Sequence, residues 1–179
     1  MLTRTGLKKM MKSRHPPWGY RKLILKWKEF KMLDWGKPVE LENTKALWND
    51  CDRAQKIVND MFRYTPDNGD EWNPEPKYTK WTGWLSGKRY ERYHGDCEDY
   101  ALAKMRKLIA WGVPKGALRL ILCRKATVYH LVLGVTTTKG TIILDNNTKA
   151  IWWMDQDKRF LYDWIMWSVP GKFMWESLE

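Results

Sequence analysis

In the stretch "HGDCEDYALAKMRKLIAWG", residues 94–112, Cys97 stands between two acids, Asp96 and Glu98. Two more residues of the types a thiol nucleophile needs follow in order, His130 after 33 residues and Asp145 after a further 15. A cysteine nucleophile requires a base to take its proton and a third group to orient that base, so this trio suggests acyl chemistry through a covalent thioester. The flanking acids oppose it, because nearby negative charge disfavours the thiolate. Each residue also has an ordinary explanation: a small packed hydrophobe, a satisfied strand histidine and an Asp-Asn turn. His94, three residues before the cysteine, competes with His130 for the role of base, although a carboxylate at Asp145 suits His130 better.

The elements around these residues are legible from pattern. Apolar residues from Ala101 through Met105, Leu108 and Ile109 predict a helix starting at Asp96 or Cys97 and stopping at Gly112, with Pro114 beyond. Cys97 then falls in the first turn, where unpaired N–H groups and the helix dipole favour an anion. Strand-like runs follow at Leu118 to Arg124, Val128 to Thr136 and Thr141 to Asp145, with "AIWWM" and "DWIMWSVPGKFMW" predicting two or three more. Upstream, a helix capped near Asn43 places Leu47, Cys51, Ala54, Val58 and Met61 on one face. Residues 65–94, rich in Pro, Gly, Asn and aromatics, read as a long ordered loop leading into the cysteine. The fold class expected is α+β, a nucleophile at the N-terminus of a helix packed on an antiparallel β-meander.

Charge divides the 179 residues unevenly. Residues 1–37 carry 11 Lys/Arg against two acids, whereas 38–179 carry 21 against 19, so the net charge of +11 belongs mostly to an N-terminal arm. From Tyr20 the arm reads as a basic amphipathic helix with Leu23, Ile24, Trp27, Phe30 and Leu33 on its apolar side. The division expected is therefore 1–37 as basic arm and helix, and 38–179 as the catalytic domain. No apolar run long enough to be a secretory signal or to span a bilayer is present, which suggests the cytoplasm or a phage or virion assembly, and the periplasm only by another export route. Cys51, Cys97 and Cys123 form no CxxC pair, so neither a disulfide framework nor a zinc site is indicated. The 13 tryptophans are read mostly as core or groove walls.

"GDCEDYALAKMRKLIAWGVP", "YHLVLGV" and "GTIILDNNT", with "IVNDMFRYTPDNGDEW" ahead of them, resemble the bacterial transglutaminase-like cysteine proteinases, the LapG-like family, over roughly residues 43–160. The resemblance implies a papain/transglutaminase-like core and calcium-dependent proteolysis. It assigns Cys97 as nucleophile, His130 as base, Asp145 as its orienter, and Asp96 and Glu98 as calcium ligands. A divalent cation there would cancel the field of the two acids and leave the helix dipole and a protonated His130 to keep Cys97 ionised. Helix capping by Asp96, with Asp99 three residues on, is the plainer role for these acids. Trp84 or Trp81 is the candidate for lining the groove or completing an oxyanion site with the Cys97 backbone N–H.

The function expected is therefore a calcium-dependent cysteine peptidase acting on a protein substrate. Transglutaminase-type acyl transfer and peptidoglycan amidase activity share the same first half-reaction. From another class comes a non-catalytic virion or assembly protein that binds a partner through residues 1–37. Nucleic acid is a less favoured partner, and would give steeply salt-dependent binding.

Overall fold

The computed structural model describes residues 37–66, 72, 77–82, 89–159, 162–172 and 174–178. The basic arm and its amphipathic helix, Trp84 and the side chain of Trp81 lie outside the described residues.

Helix α1 (Lys45–Met61) begins one residue later than the Asn43 cap implied, because the Thr44 hydroxyl accepts from the Leu47 N–H at 3.1 Å. Cys51, Ala54 and Val58 face the core as their spacing predicts, joined by Gln55, whereas Met61 at the end of the stripe is 40% exposed. The chain then passes directly into a strand, β1 (Phe62–Tyr64).

The segment expected as one long loop contains two further strands, β2 (Lys77–Thr82) and β3 (Arg89–Gly95). They pair antiparallel, and β1 runs parallel to β3 on its other side. Tyr78 pairs with Tyr93 across this small sheet with ring centroids 4.8 Å apart, a cross-strand aromatic contact that favours strand over loop. Trp81 is a β2 residue opposite Tyr90.

Helix α2 (Cys97–Ala110) follows β3 with only Asp96 between them. Gly112 ends it at a φ of 90°, with the Val113 N–H returning to the Leu108 carbonyl at 3.0 Å. A short 3-10 turn leads into β4 (Leu118–Lys125), β5 (Val128–Thr137) and β6 (Gly140–Leu144), then β7 (Trp152–Trp153), β8 (Tyr162–Ser168) and β9 (Trp175–Ser177). Their order is β7-β6-β5-β4-β8-β9 with every neighbouring pair antiparallel. The meander β4-β5-β6 is as expected, but β8 returns to the free edge of β4, which makes β4 a central strand.

Alternation along the strands sends Leu120, Leu122, Leu131, Leu133 and Leu144 into the main core with Cys51, Ala101, Met105 and Leu108 of the helices. Ile121, Cys123, Val132 and Ile143 belong to a second cluster, covered by Trp152, Tyr162, Trp164 and Trp167. Both faces of the sheet are therefore buried, and tryptophan supplies much of the second cover. The architecture is α+β, with α2 packed on β5 and on α1.

Candidate active site

Cys97 is the first residue of α2 and lies between two buried acids, Asp96 and Glu98. Asp96 occupies the N-cap position, yet its carboxylate makes no capping hydrogen bond. It bonds instead to the side chain of Glu98, so the capping role does not account for it. The ligand atoms of Asp96, Cys97 and Glu98 all lie within 4.8 Å of one another.

This crowding governs the ionisation of Cys97 and Glu98. Burial first, then hydrogen bonding and repulsion from Asp96, push Glu98 up to about 9. Cys97 is pushed well above its usual range by burial first, then by the charges of Glu98 and Asp96. Its thiol donates to Glu98 Oε2 at 3.1 Å. A backbone hydrogen bond from Leu131 of β5 acts in the other direction.

His130 is buried on β5, and its Nε2 lies 2.7 Å from Asp145 Oδ1. Asp145 follows β6 directly, so the β5–β6 pairing carries imidazole and carboxylate to one end of the hairpin. Burial pushes the Asp145 carboxyl up. The His130 hydrogen bond and charge, the Asn147 N–H and the Tyr162 hydroxyl outweigh it and hold the group below its usual range. The Tyr162 hydroxyl donates to Asp145 Oδ2 at 2.8 Å, and the Asn147 N–H to Oδ1 at 2.8 Å. With Nε2 turned to Asp145, Nδ1 is the ring nitrogen left to exchange a proton.

Cys97 and His130 line one cavity of about 120 Å³, walled by Tyr64, Trp72, Leu122 and Tyr129. A larger hollow of about 580 Å³ opens between α1, β3 and α2, lined by Val58, Tyr93, Lys107 and Trp111, and it contains none of these groups. His94 is on β3 with Nδ1 3.2 Å from the Thr65 hydroxyl, and it does not line the cavity that holds Cys97 and His130. Cys51 and Cys123 are buried; burial and Asp50 push Cys51 up to about 12, and Cys123 donates to the His130 carbonyl at 3.4 Å.

Sequence reasoning passed over Tyr162, Asn147, Gln55 and Asn59, all of which bond to the Asp145–Thr148 segment. Asn147 bonds locally, its N–H reaching Asp145 Oδ1 two residues back, whereas nothing local marks Tyr162, Gln55 and Asn59, which meet the segment only through the sheet or the α1 packing. Trp72, also overlooked, lies within the Pro- and Asn-rich run that precedes the cysteine.

A helix opening on a cysteine and packed on an antiparallel sheet defines a transglutaminase-like fold. The profile of the bacterial transglutaminase-like cysteine proteinases (BTLCP) matches residues 10–178, and the chain belongs to that family. Calcium-bound LapG of Legionella pneumophila is 20% identical, with a TM-score of 0.52, and the likeness covers 93% of this chain and 84% of that one. Two other structures of that LapG, one of them EGTA-treated, reach TM-scores of 0.49 at 20% identity. They cover 94% of this chain and 84% and 82% of their own. No curated protein matches.

Proposed function

We propose that the chain is a calcium-dependent cysteine peptidase that cleaves a protein amide bond through Cys97, His130 and Asp145. The observation that carries this reading is that Cys97 opens into the cavity lined by His130, whose far nitrogen is held by Asp145 at 2.7 Å.

His130 Nδ1 takes the thiol proton while Nε2–H stays on Asp145, whose charge stabilises the imidazolium. The thiolate forms a bond to the substrate carbonyl carbon. The resulting oxyanion is stabilised by backbone N–H groups at the start of α2, that of Cys97 among them. Collapse breaks the C–N bond, and the imidazolium gives its proton to the departing amine. His130 then takes a proton from water as it attacks the thioester, releasing the acid and restoring the thiol. Asp145 keeps the ring orientated throughout, and Tyr162 keeps Asp145 in place.

Two buried carboxylates in contact, one of them pushed up to about 9, are a donor set short of positive charge, and hard oxygen ligands suit calcium. Asp96 and Glu98 would hold the ion, with other oxygens completing its shell. Bound there, it supplies positive charge that neutralises the two acids beside the thiol. Trp81 and Trp84 remain the proposed groove residues, and the division into a 1–37 arm and a 38–179 catalytic domain is likewise part of this reading.

Alkylation of Cys97 by iodoacetamide tests it, with Cys97→Ala to subtract the other thiols. At pH 7 the rate is expected to be at least about tenfold faster with calcium than with EGTA. In His130→Ala it is expected to fall by about 100-fold. A slow rate indifferent to both would overturn the proposal. Adding a labelled primary amine to the reaction with a cleaved protein separates hydrolysis, which leaves the label free, from acyl transfer, which incorporates it.

A further inference from the structure

Gln55 is fully buried on α1, among the helix's core-facing residues Cys51, Ala54 and Val58. Burying an amide is costly unless its hydrogens find acceptors. Those of Gln55 find them far along the chain. Its Nε2 donates to the Asp145 carbonyl at 2.5 Å and to the Thr148 carbonyl at 2.7 Å, with the Thr148 hydroxyl at 3.3 Å. Two carbonyls facing one amide fix which end points at them, because only the nitrogen can donate. One turn further along α1, Asn59 Nδ2 donates to the Thr148 carbonyl at 3.0 Å and to the Asp145 carbonyl at 3.4 Å.

These acceptors lie where the sheet stops supplying partners. β6 ends at Leu144, paired with Leu133, and the next strand, β7, begins at Trp152. Between them the chain turns, and the Thr148 N–H returns to the Asp145 carbonyl at a long 3.4 Å. Backbone carbonyls that leave a ladder inside the protein need other donors. Helix α1 provides them to the same residue whose side chain orients the base. The Asp145 carboxylate is held by His130, by the Asn147 N–H and by Tyr162. Its main chain is held by Gln55, with Asn59 as a second, longer contact.

We propose that Gln55 is a positioning residue of the candidate site: by holding the Asp145 and Thr148 carbonyls it fixes the exit from β6, so that the Asp145 carboxylate stays in register with His130. Without the amide hydrogens the turn loses its anchor on α1, and the carboxylate loses its fixed place against the imidazole. The nucleophile then comes from α2, the base and its orienter from the sheet, and the support of the orienter from α1. This role rests on the proposed Cys97-His130-Asp145 chemistry, which the alkylation rate of the unaltered protein tests separately.

The test uses the full chain and iodoacetamide alkylation of Cys97 with calcium present. Gln55→Met keeps the side chain's bulk and removes both donors. It is expected to slow alkylation about tenfold, as a misplaced catalytic group does. In an Asp145→Ala background it is expected to slow alkylation by less than about twofold, because the group acted through is already gone. The low-field proton resonance of the His130 Nε2–H, sharp when Asp145 holds it, is expected to broaden or vanish in Gln55→Met. Val58→Ala, which trims the same helix at a buried apolar side chain packed with Phe62 and Tyr100, is expected to leave rate and resonance unchanged. Should Gln55→Met fail to fold, Gln55→Glu, which keeps the shape and, as a buried acid, one donor, is read by the same criteria. An unchanged rate and resonance in the Gln55 variant, an equal slowing in the Asp145→Ala background, or the same losses in Val58→Ala would overturn the proposal. A slow, His130-independent rate in the unaltered protein would instead overturn the peptidase reading, and the resonance still decides whether Gln55 holds Asp145 against His130.

Discussion

Asp96 and Glu98 leave water together when α2 docks, and two carboxylates in contact cannot both stay charged at low cost. Glu98 therefore binds its proton more tightly in the folded chain than in the unfolded one. Its contribution to stability is complete below the ordinary value of 4.5 and is lost as pH rises towards about 9. On the proposed reading, in which Glu98 is a calcium ligand, the ion displaces that proton, so the rise in Tm on adding calcium is expected to be larger at pH 8 than at pH 5.5. An equal or smaller rise at pH 8 would show that Glu98 is not a ligand. Asp145 behaves oppositely: held low by its partners, it contributes stability above 3.8 that is lost as pH falls through its lower folded value. Tyr162→Phe removes one of those partners. The expected outcome is a loss of about 1 kcal/mol in thermal unfolding, with slower Cys97 alkylation.

The β3-to-α2 junction sets the position of the nucleophile, and the glycines at the two ends of α2, Gly95 and Gly112, separate packing from conformation. A Cβ at Gly95 would overlap the Asp99 side chain in the first turn of α2. Gly95→Ala is therefore expected to cost about 1–3 kcal/mol of stability, measured by thermal unfolding, and to slow Cys97 alkylation as well, because the first turn must shift. Gly112 ends the helix at a φ of 90° with open space around it. Gly112→Ala is expected to cost about 1 kcal/mol from backbone strain alone and to leave the alkylation rate unchanged. Helical periodicity found α1 and α2 to within a residue or two because one face of each packs on a continuous core. The small sheet escaped notice because its strands are short and rich in charged residues. What defines them is a pairing, Lys77–Thr82 against Arg89–His94, that local composition does not encode.

Across the whole molecule the central strand β4 connects the parts. Leu120 is completely buried in the core shared by the sheet and both helices, whereas its neighbour Ile121 is buried on the opposite face. Leu120→Ala is expected to lower stability by about 2–5 kcal/mol, measured by denaturant unfolding, because the cavity forms where the sheet meets α1 and α2. A change well below that would mean that the two layers contribute little to one another.

The sequence by itself determined which chemistry was available and the order in which its residues arrive. A cysteine at a helix start, a histidine within a strand and an aspartate at a strand end could all be read from spacing. The cation was implied only by the resemblance of the two acids and the motifs around them to the family. These are local properties, set by periodicity and by neighbours along the chain. Only the tertiary structure decided that His130 Nε2 meets Asp145 at 2.7 Å, that Tyr162 braces the far oxygen, and that His94 meets the Thr65 hydroxyl. It also decided that Lys104, a residue whose type belongs on a solvated face, is fully buried on α2. The reason is physical: which distant side chains meet, and which lose water together, depends on how the sheet and helices pack, and no spacing along one chain specifies that.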